Sequence, residues 1–153
     1  MIHKEQFDKL LPLACEWAKR QEEIILENGV SLSNDQKIDA YLIGVKEIQK
    51  ARLLKVETIP TPSISELKSA VQITGLFTEN TSGVAFRYGI YIKADSWNRR
   101  RLVVHELTHT MQYERFGGFK PFLEQYLDEC INIGYPYGTL EQEAIRMEKQ
   151  ICT

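Results

Sequence analysis

Residues 100 to 114 read RRLVVHELTHTMQYE and hold two of the chain's three histidines, set four apart around a glutamate. On a helix, four residues advance about one turn and roughly 6 Å, so His105 and His109 stack on one face. Their imidazoles can then converge on one zinc ion at about 2.0–2.1 Å. Zinc lowers the pKa of a bound water to about 7, and Glu106, flanking that face, can take the proton as the water attacks a carbonyl. The spacing points to Zn2+ as cofactor and hydrolysis as chemistry. His3, close to the N-terminus, is read as a surface residue.

Two imidazoles leave zinc short of a ligand. The downstream candidates are Glu114, Glu124, Asp128, Glu129, Cys130, Glu141 and Glu143. Glu114 lies more than two turns past His105 on the same helix and cannot curl back to it. A separate helix packed against the first must supply the donor, and LEQEA offers one. Glu141 falls in a first helical turn, where the helix N-terminus favours an ionised carboxylate. Glu143 is two residues on and about 200° round the helix, so only one of the pair can be the ligand.

The elements that must position these residues follow from periodicity and punctuation. Asp95, Ser96 and Asn98 offer N-caps to the motif helix, and Gly117-Gly118 ends it. GVAFRYGIYIK, residues 83 to 93, reads as a hairpin turning at Arg87-Tyr88. Its second run (Gly89, Ile90, Tyr91, Ile92, Lys93) has the alternation of an exposed or edge strand, along which a peptide could add itself. Pro121 opens a helix through Phe122, Leu123, Tyr126, Leu127 and Ile131 that ends at Gly134. A Thr139–Gln142 capping box then starts the last one.

Upstream, residues 3 to 28 read as an amphipathic helix, with Pro12 demanding a late start or a kink. A Ser33–Gln36 capping box opens a second helix, whose apolar positions are Ile38, Tyr41, Leu42 and Val45. ARLLKVETI reads as a strand, and Ser63 with Glu66 caps a third helix that stops at Gly75. Together these elements give an α+β fold in a single domain, residues 1 to 80 supporting a metal-site half at residues 83 to 146.

HELTHTMQYE, preceded by GVAFRYGIYIK and followed by LEQEA, resembles the gluzincin-type metallopeptidases of bacteria. In these a strand with an Ile-aromatic-Ile pattern leads into a HELxHxxQ helix and then an ExEA helix. The likeness covers the metal-site half and not the first 80 residues. It implies a minimal zincin-like fold, several helices with a small, mostly antiparallel sheet, and zinc-dependent cleavage of peptide bonds. It also places the third ligand at Glu141, with Glu143 the alternative, and makes Glu106 the general base. That pattern often has an Asp four residues after the ligand, holding a histidine. Ile145 stands there instead, leaving Asp95 or Asp128 for the task.

Tyr135 and Tyr137 precede the Glu141 helix. They are read as loop packing, with a phenol that donates to a developing oxyanion as the functional alternative. Gln112 and Tyr113 are read as packing beside the site. A rival to the enzyme is a binding module that holds zinc structurally or lacks catalysis, with Cys130 or Asp128 completing a closed shell. A helical accessory protein in which HELTH is incidental is another.

Composition narrows the partners. A formal charge of −2 over 153 residues gives no electrostatic footprint for nucleic acid. No apolar run approaches the ~20 residues of a membrane span, and the N-terminal stretch lacks the cleavage site of a signal peptide. Three cysteines without a CxxC pair suit a reduced, cytoplasmic chain. The expected partner is a peptide or protein substrate.

Overall fold

A computed structural model describes residues 2–78 and 80–153, with Ile73 as backbone only. Helix α1 (Lys4–Asn28) turns Leu11, Ala14, Ala18 and Ile25 inward. It starts at Lys4 and continues through Pro12, so the proline does not delay the helix. The ring removes one backbone N–H, and the packed apolar face outweighs that loss. Strand β1 (Val30–Ser31), α2 (Asn34–Ile43) and β2 (Arg52–Val56) follow, then α3 (Ser65–Thr74). The β3–β4 hairpin (Gly83–Phe86 and Gly89–Lys93) turns at Arg87-Tyr88 as expected. Helices α4 (Arg100–Phe116), α5 (Phe119–Glu129) and α6 (Thr139–Ile151) complete the chain, with a π-helical turn at Cys130–Gly134 before α6.

The fold is α+β, with a small four-stranded sheet in the order β1-β2-β4-β3. Both outer pairs are antiparallel, while β2 and β4 run parallel, so the chain crosses over between them through α3 and β3. This order corrects the expected edge strand. Gly89, Ile90, Tyr91, Ile92 and Lys93 pair with β2 from Arg52↔Gly89 to Val56↔Lys93, and with β3 on the other side. Neither hydrogen-bonding side of β4 is open to a peptide; among the described residues β3 is the outer strand there. The alternation in β4 separates two cores rather than core from solvent. Ile90 and Ile92 pack with Val103, Val104 and Leu107 of α4, whereas Tyr91 joins the cluster of Ile25, Phe86 and Phe122. Helix α1 lies so close that a Cβ at Gly89 would sit 2.9 Å from the Cβ of Ile25.

Buried polar groups tie these layers together. Glu22 of α1 is 4% exposed and accepts from Arg87 Nε and Nη2 and from the Tyr88 N–H, holding the hairpin turn. Thr110 of α4 donates to the Arg87 carbonyl from the other side. At the far end of α4, Glu114 accepts from the Lys46 and Glu47 N–H groups and from the Tyr88 hydroxyl.

Long-range pairs also overturn several locally read features. The Ser33–Gln36 capping box forms, but Ile38, Tyr41 and Leu42 are exposed, and α2 buries Asp39, Ala40 and Ile43 instead. Asp39 takes Arg100 in a two-pronged pair at 2.8 and 2.9 Å, and this pair with the small Ala40 turns that face to α4. Helix α3 begins after Ile64 without a side-chain cap, so Ser63 does not close a box with Glu66. Asp95 and Ser96 form a separate 3-10 turn, and α4 begins after Arg99 with no side-chain cap. Its end at Gly117, in the left-handed region at φ 99°, is as expected.

Replacing Glu22 with Ala leaves the Tyr88 N–H unmatched and frees the Arg87 guanidinium. We expect a loss of about 2 kcal/mol in urea denaturation, since Arg87 is partly exposed and can recover water. A loss below about 0.5 kcal/mol would mean that packing alone holds the hairpin.

Candidate metal centre

Helix α6 packs along α4, which brings its first turn over the two histidines. His105 and His109 lie one turn apart on α4, their ring centroids 5.0 Å apart. The Glu141 carboxylate lies between them: Oε1 is 2.6 Å from His105 Nε2 and Oε2 is 3.1 Å from His109 Nε2. Among the described residues, these three form a group whose donor atoms all lie within 4.8 Å of one another. Glu143 is turned away, as its angular offset requires. It accepts from Gln112 Nε2 at 2.7 Å and pairs with Arg115 at 2.7 and 2.9 Å.

The opposite edge of each imidazole is also engaged. His105 Nδ1 lies 2.6 Å from Glu148 Oε2, an acceptor-only carboxylate, so Nδ1 is the donor. His109 Nδ1 lies 2.8 Å from Gln112 Oε1. The Gln112 amide nitrogen donates to the Leu140 carbonyl and to Glu143, which leaves its oxygen to accept from His109. Both histidines therefore carry the Nδ1 proton and present Nε2 to the same point, as a metal-ligating histidine does. Two Nε2 atoms and a carboxylate form a donor set that suits zinc. On this chemistry the residues fit the ion.

The charges are mutually dependent. Burial disfavours charged His105, but Glu141 and Glu148 overcome this and raise its pKa to about 10. Burial likewise opposes His109, and Glu141 again raises it. Burial would raise the Glu141 carboxyl, yet hydrogen bonds from both histidines hold it well below the usual carboxylate range. Tyr126 of α5 donates to Glu141 Oε2 at 2.8 Å and fixes its second oxygen. Glu106, only 5% exposed, is pushed up by burial, with the two histidines partly offsetting this.

Glu129 positions the Glu141 helix. The Thr139–Gln142 box does not form; Glu129 of α5 takes the Thr139 hydroxyl and the Leu140 N–H instead. A Cβ at Gly138 would lie 2.7 Å from Glu129 Oε1, so this cap needs glycine there.

His105, Glu106, His109 and Glu141 together line one end of a cavity of about 150 Å3. Tyr135 borders the same cavity, but Tyr137 is 70% exposed and does not line it. The expected holders of a histidine are elsewhere: Asp95 accepts from Ser96, and Asp128 from Asn132. Neither Asp128 nor Cys130 belongs to the clustered donors. No protein-family model, curated protein or solved structure matches this chain. Sequence reasoning missed Glu148, although it stands seven residues after Glu141 and so on the same helical face. It also assigned Gln112 to packing alone and Tyr126 to an apolar stripe; nothing local to Tyr126 marks its hydroxyl.

Purified without chelator, the protein should bind about one zinc, and His109→Ala should abolish binding. Glu141→Gln should weaken zinc far more than Glu143→Gln in a competition titration. Glu148→Gln should cost about 10–100-fold in affinity, as for other groups that hold a ligating histidine. A folded His109→Ala protein with full zinc, or a greater loss from Glu143→Gln, would contradict this donor set.

Proposed function

We propose that this chain is a zinc-dependent peptidase of gluzincin type. The observation that supports this most is that Glu106 lines the same cavity as the three converging donors. Three donors converge among the described residues, which would leave a coordination position open on a bound zinc, whereas a structural site closes with four. That favours catalysis over the binding-module reading.

His105, His109 and Glu141 would hold the ion, with Glu148, Gln112 and Tyr126 setting the orientation of each. A bound zinc would supply a Lewis acid that polarises a carbonyl and acidifies water. Glu106 removes a proton from the attacking water as its oxygen bonds to the carbonyl carbon. The same carboxyl then delivers that proton to the amide nitrogen as the C–N bond breaks. Tyr135, which borders the cavity, would donate to the carbonyl oxygen as charge develops there. Peptide alignment falls to β3, which lines the cavity and is the outer strand. No described helix is long and apolar enough to cross a membrane. Cys15, Cys130 and Cys152 are all free, which supports a reduced, cytoplasmic setting.

Glu106→Gln tests the mechanism apart from the metal. The variant should fold and keep its zinc, yet cleave peptides at least ~100-fold more slowly. The assay is a degenerate peptide library read by mass spectrometry, run beside wild-type and chelated protein. Cleavage at the wild-type rate by the variant or by the chelated sample would remove this reading.

A further inference from the structure

The cavity beside the metal centre has walls unlike its end. Away from the four centre residues it is bounded by Trp17 of α1, Leu67 and Val71 of α3, Phe77, Phe86 of β3 and Phe122 of α5. Of its polar neighbours, Tyr126 is committed to Glu141 and Tyr113 to the Ala85 carbonyl. Among the described residues, no lysine, arginine or aspartate lines it. Its volume of about 150 Å3 matches cavities that admit a benzene ring.

We propose that α1 and α3, in the part of the chain that precedes the hairpin, build a specificity pocket here. It takes one aromatic or branched aliphatic side chain from the residue flanking the scissile bond. The space has the bulk of such a side chain, and it opens directly onto Glu106 and the histidines. Beyond the centre its walls also carry no charged side chain among the described residues, so a charged group would lose its water there without an ion-pair partner. Aspartate would in addition meet Glu106 and Glu141. Edge-on ring contacts already present show how an aromatic ring would be received: Trp17 meets Phe86 at 5.2 Å and Phe77 at 6.2 Å. The term substrate rests on the peptidase reading; the chemistry of the pocket does not.

The test uses zinc-loaded Glu106→Gln protein that also carries Trp97→Phe, so that Trp17 alone reports by fluorescence. The N-acetyl amides of phenylalanine, leucine, aspartate and lysine are titrated in turn. The apolar probes should bind at least about tenfold more tightly than the charged ones. Ala70→Phe, which fills the pocket from α3, should weaken the phenylalanine probe by about tenfold or more while zinc content stays at one. Leu67→Ala, which enlarges the pocket, should shift preference from the phenylalanine probe to N-acetyl-tryptophan amide, and serves if Ala70→Phe does not fold. Equal binding of apolar and charged probes, or none of either, would overturn the pocket. So would a preference unmoved by Leu67→Ala. A wild-type enzyme that cleaves library peptides without regard to apolar residues would overturn the pocket and leave the peptidase standing. Selective apolar binding with no cleavage by zinc-loaded wild type would do the reverse.

Discussion

Placing the Glu141 carboxylate, 4% exposed, between the buried His109 and the partly buried His105 obliges the surrounding structure to supply partners for every atom involved. A buried charge without partners costs several kcal/mol, so such a site survives only inside a satisfied network. The network here runs outward from the carboxylate. Tyr126 takes one oxygen, Glu148 and Gln112 take the far sides of the histidines, and Gln112 passes the chain to Glu143 and Arg115. Three helices must therefore keep their register. A slip of α6 by one residue would swing Glu141 by about 100° and leave the imidazoles facing each other.

That register is set from outside α6. Its first turn carries no cap of its own, and Glu129 of α5 supplies one through the Thr139 hydroxyl and the Leu140 N–H. Burial opposes the ionisation of Glu129, but these bonds keep its carboxyl below the usual range, so it stays a good acceptor. The donor side is held in the same way. Helix α4 has Asp39 on Arg100 at one end and Glu114 gripping the Lys46–Glu47 backbone towards the other. Between them Thr110 and Glu22 clamp the hairpin turn. These anchors fix the sheet, and with it the β3 wall of the cavity, relative to the histidines.

The halves of the chain divide the labour accordingly. Helices α4, α5 and α6 hold the polar centre, while α1 and α3 close an apolar space over it. Apolar walls exclude water, which strengthens each electrostatic contact at the centre.

The sequence alone determined part of what depends on residues a turn apart, although the expected boxes at Ser63 and Thr139 did not form. His105, Glu106 and His109 share a helix because their spacing matches its period, and Gly75 and Gly117 stop helices because they accept positive φ. Ser33 caps with Gln36 because the two are three residues apart. The hairpin at Arg87-Tyr88 follows from the break between two apolar runs. The convergence of the two histidines was legible for the same local reason, and LEQEA narrowed the carboxylate that meets them to two glutamates. The tertiary structure decided which surfaces met. Strand order made β4 interior, because β2 pairs with it across a crossover that no local pattern encodes. Asp39 meeting Arg100 chose the buried face of α2 against its own apolar stripe. The packing of α6 on α4 selected Glu141 over Glu143 and brought in Glu148, while α5 contributed Tyr126 and the Glu129 cap. A partner tens of residues away leaves no periodic trace in the chain. Its choice is set by the shape and charge of whole faces, and those exist only once the chain has folded.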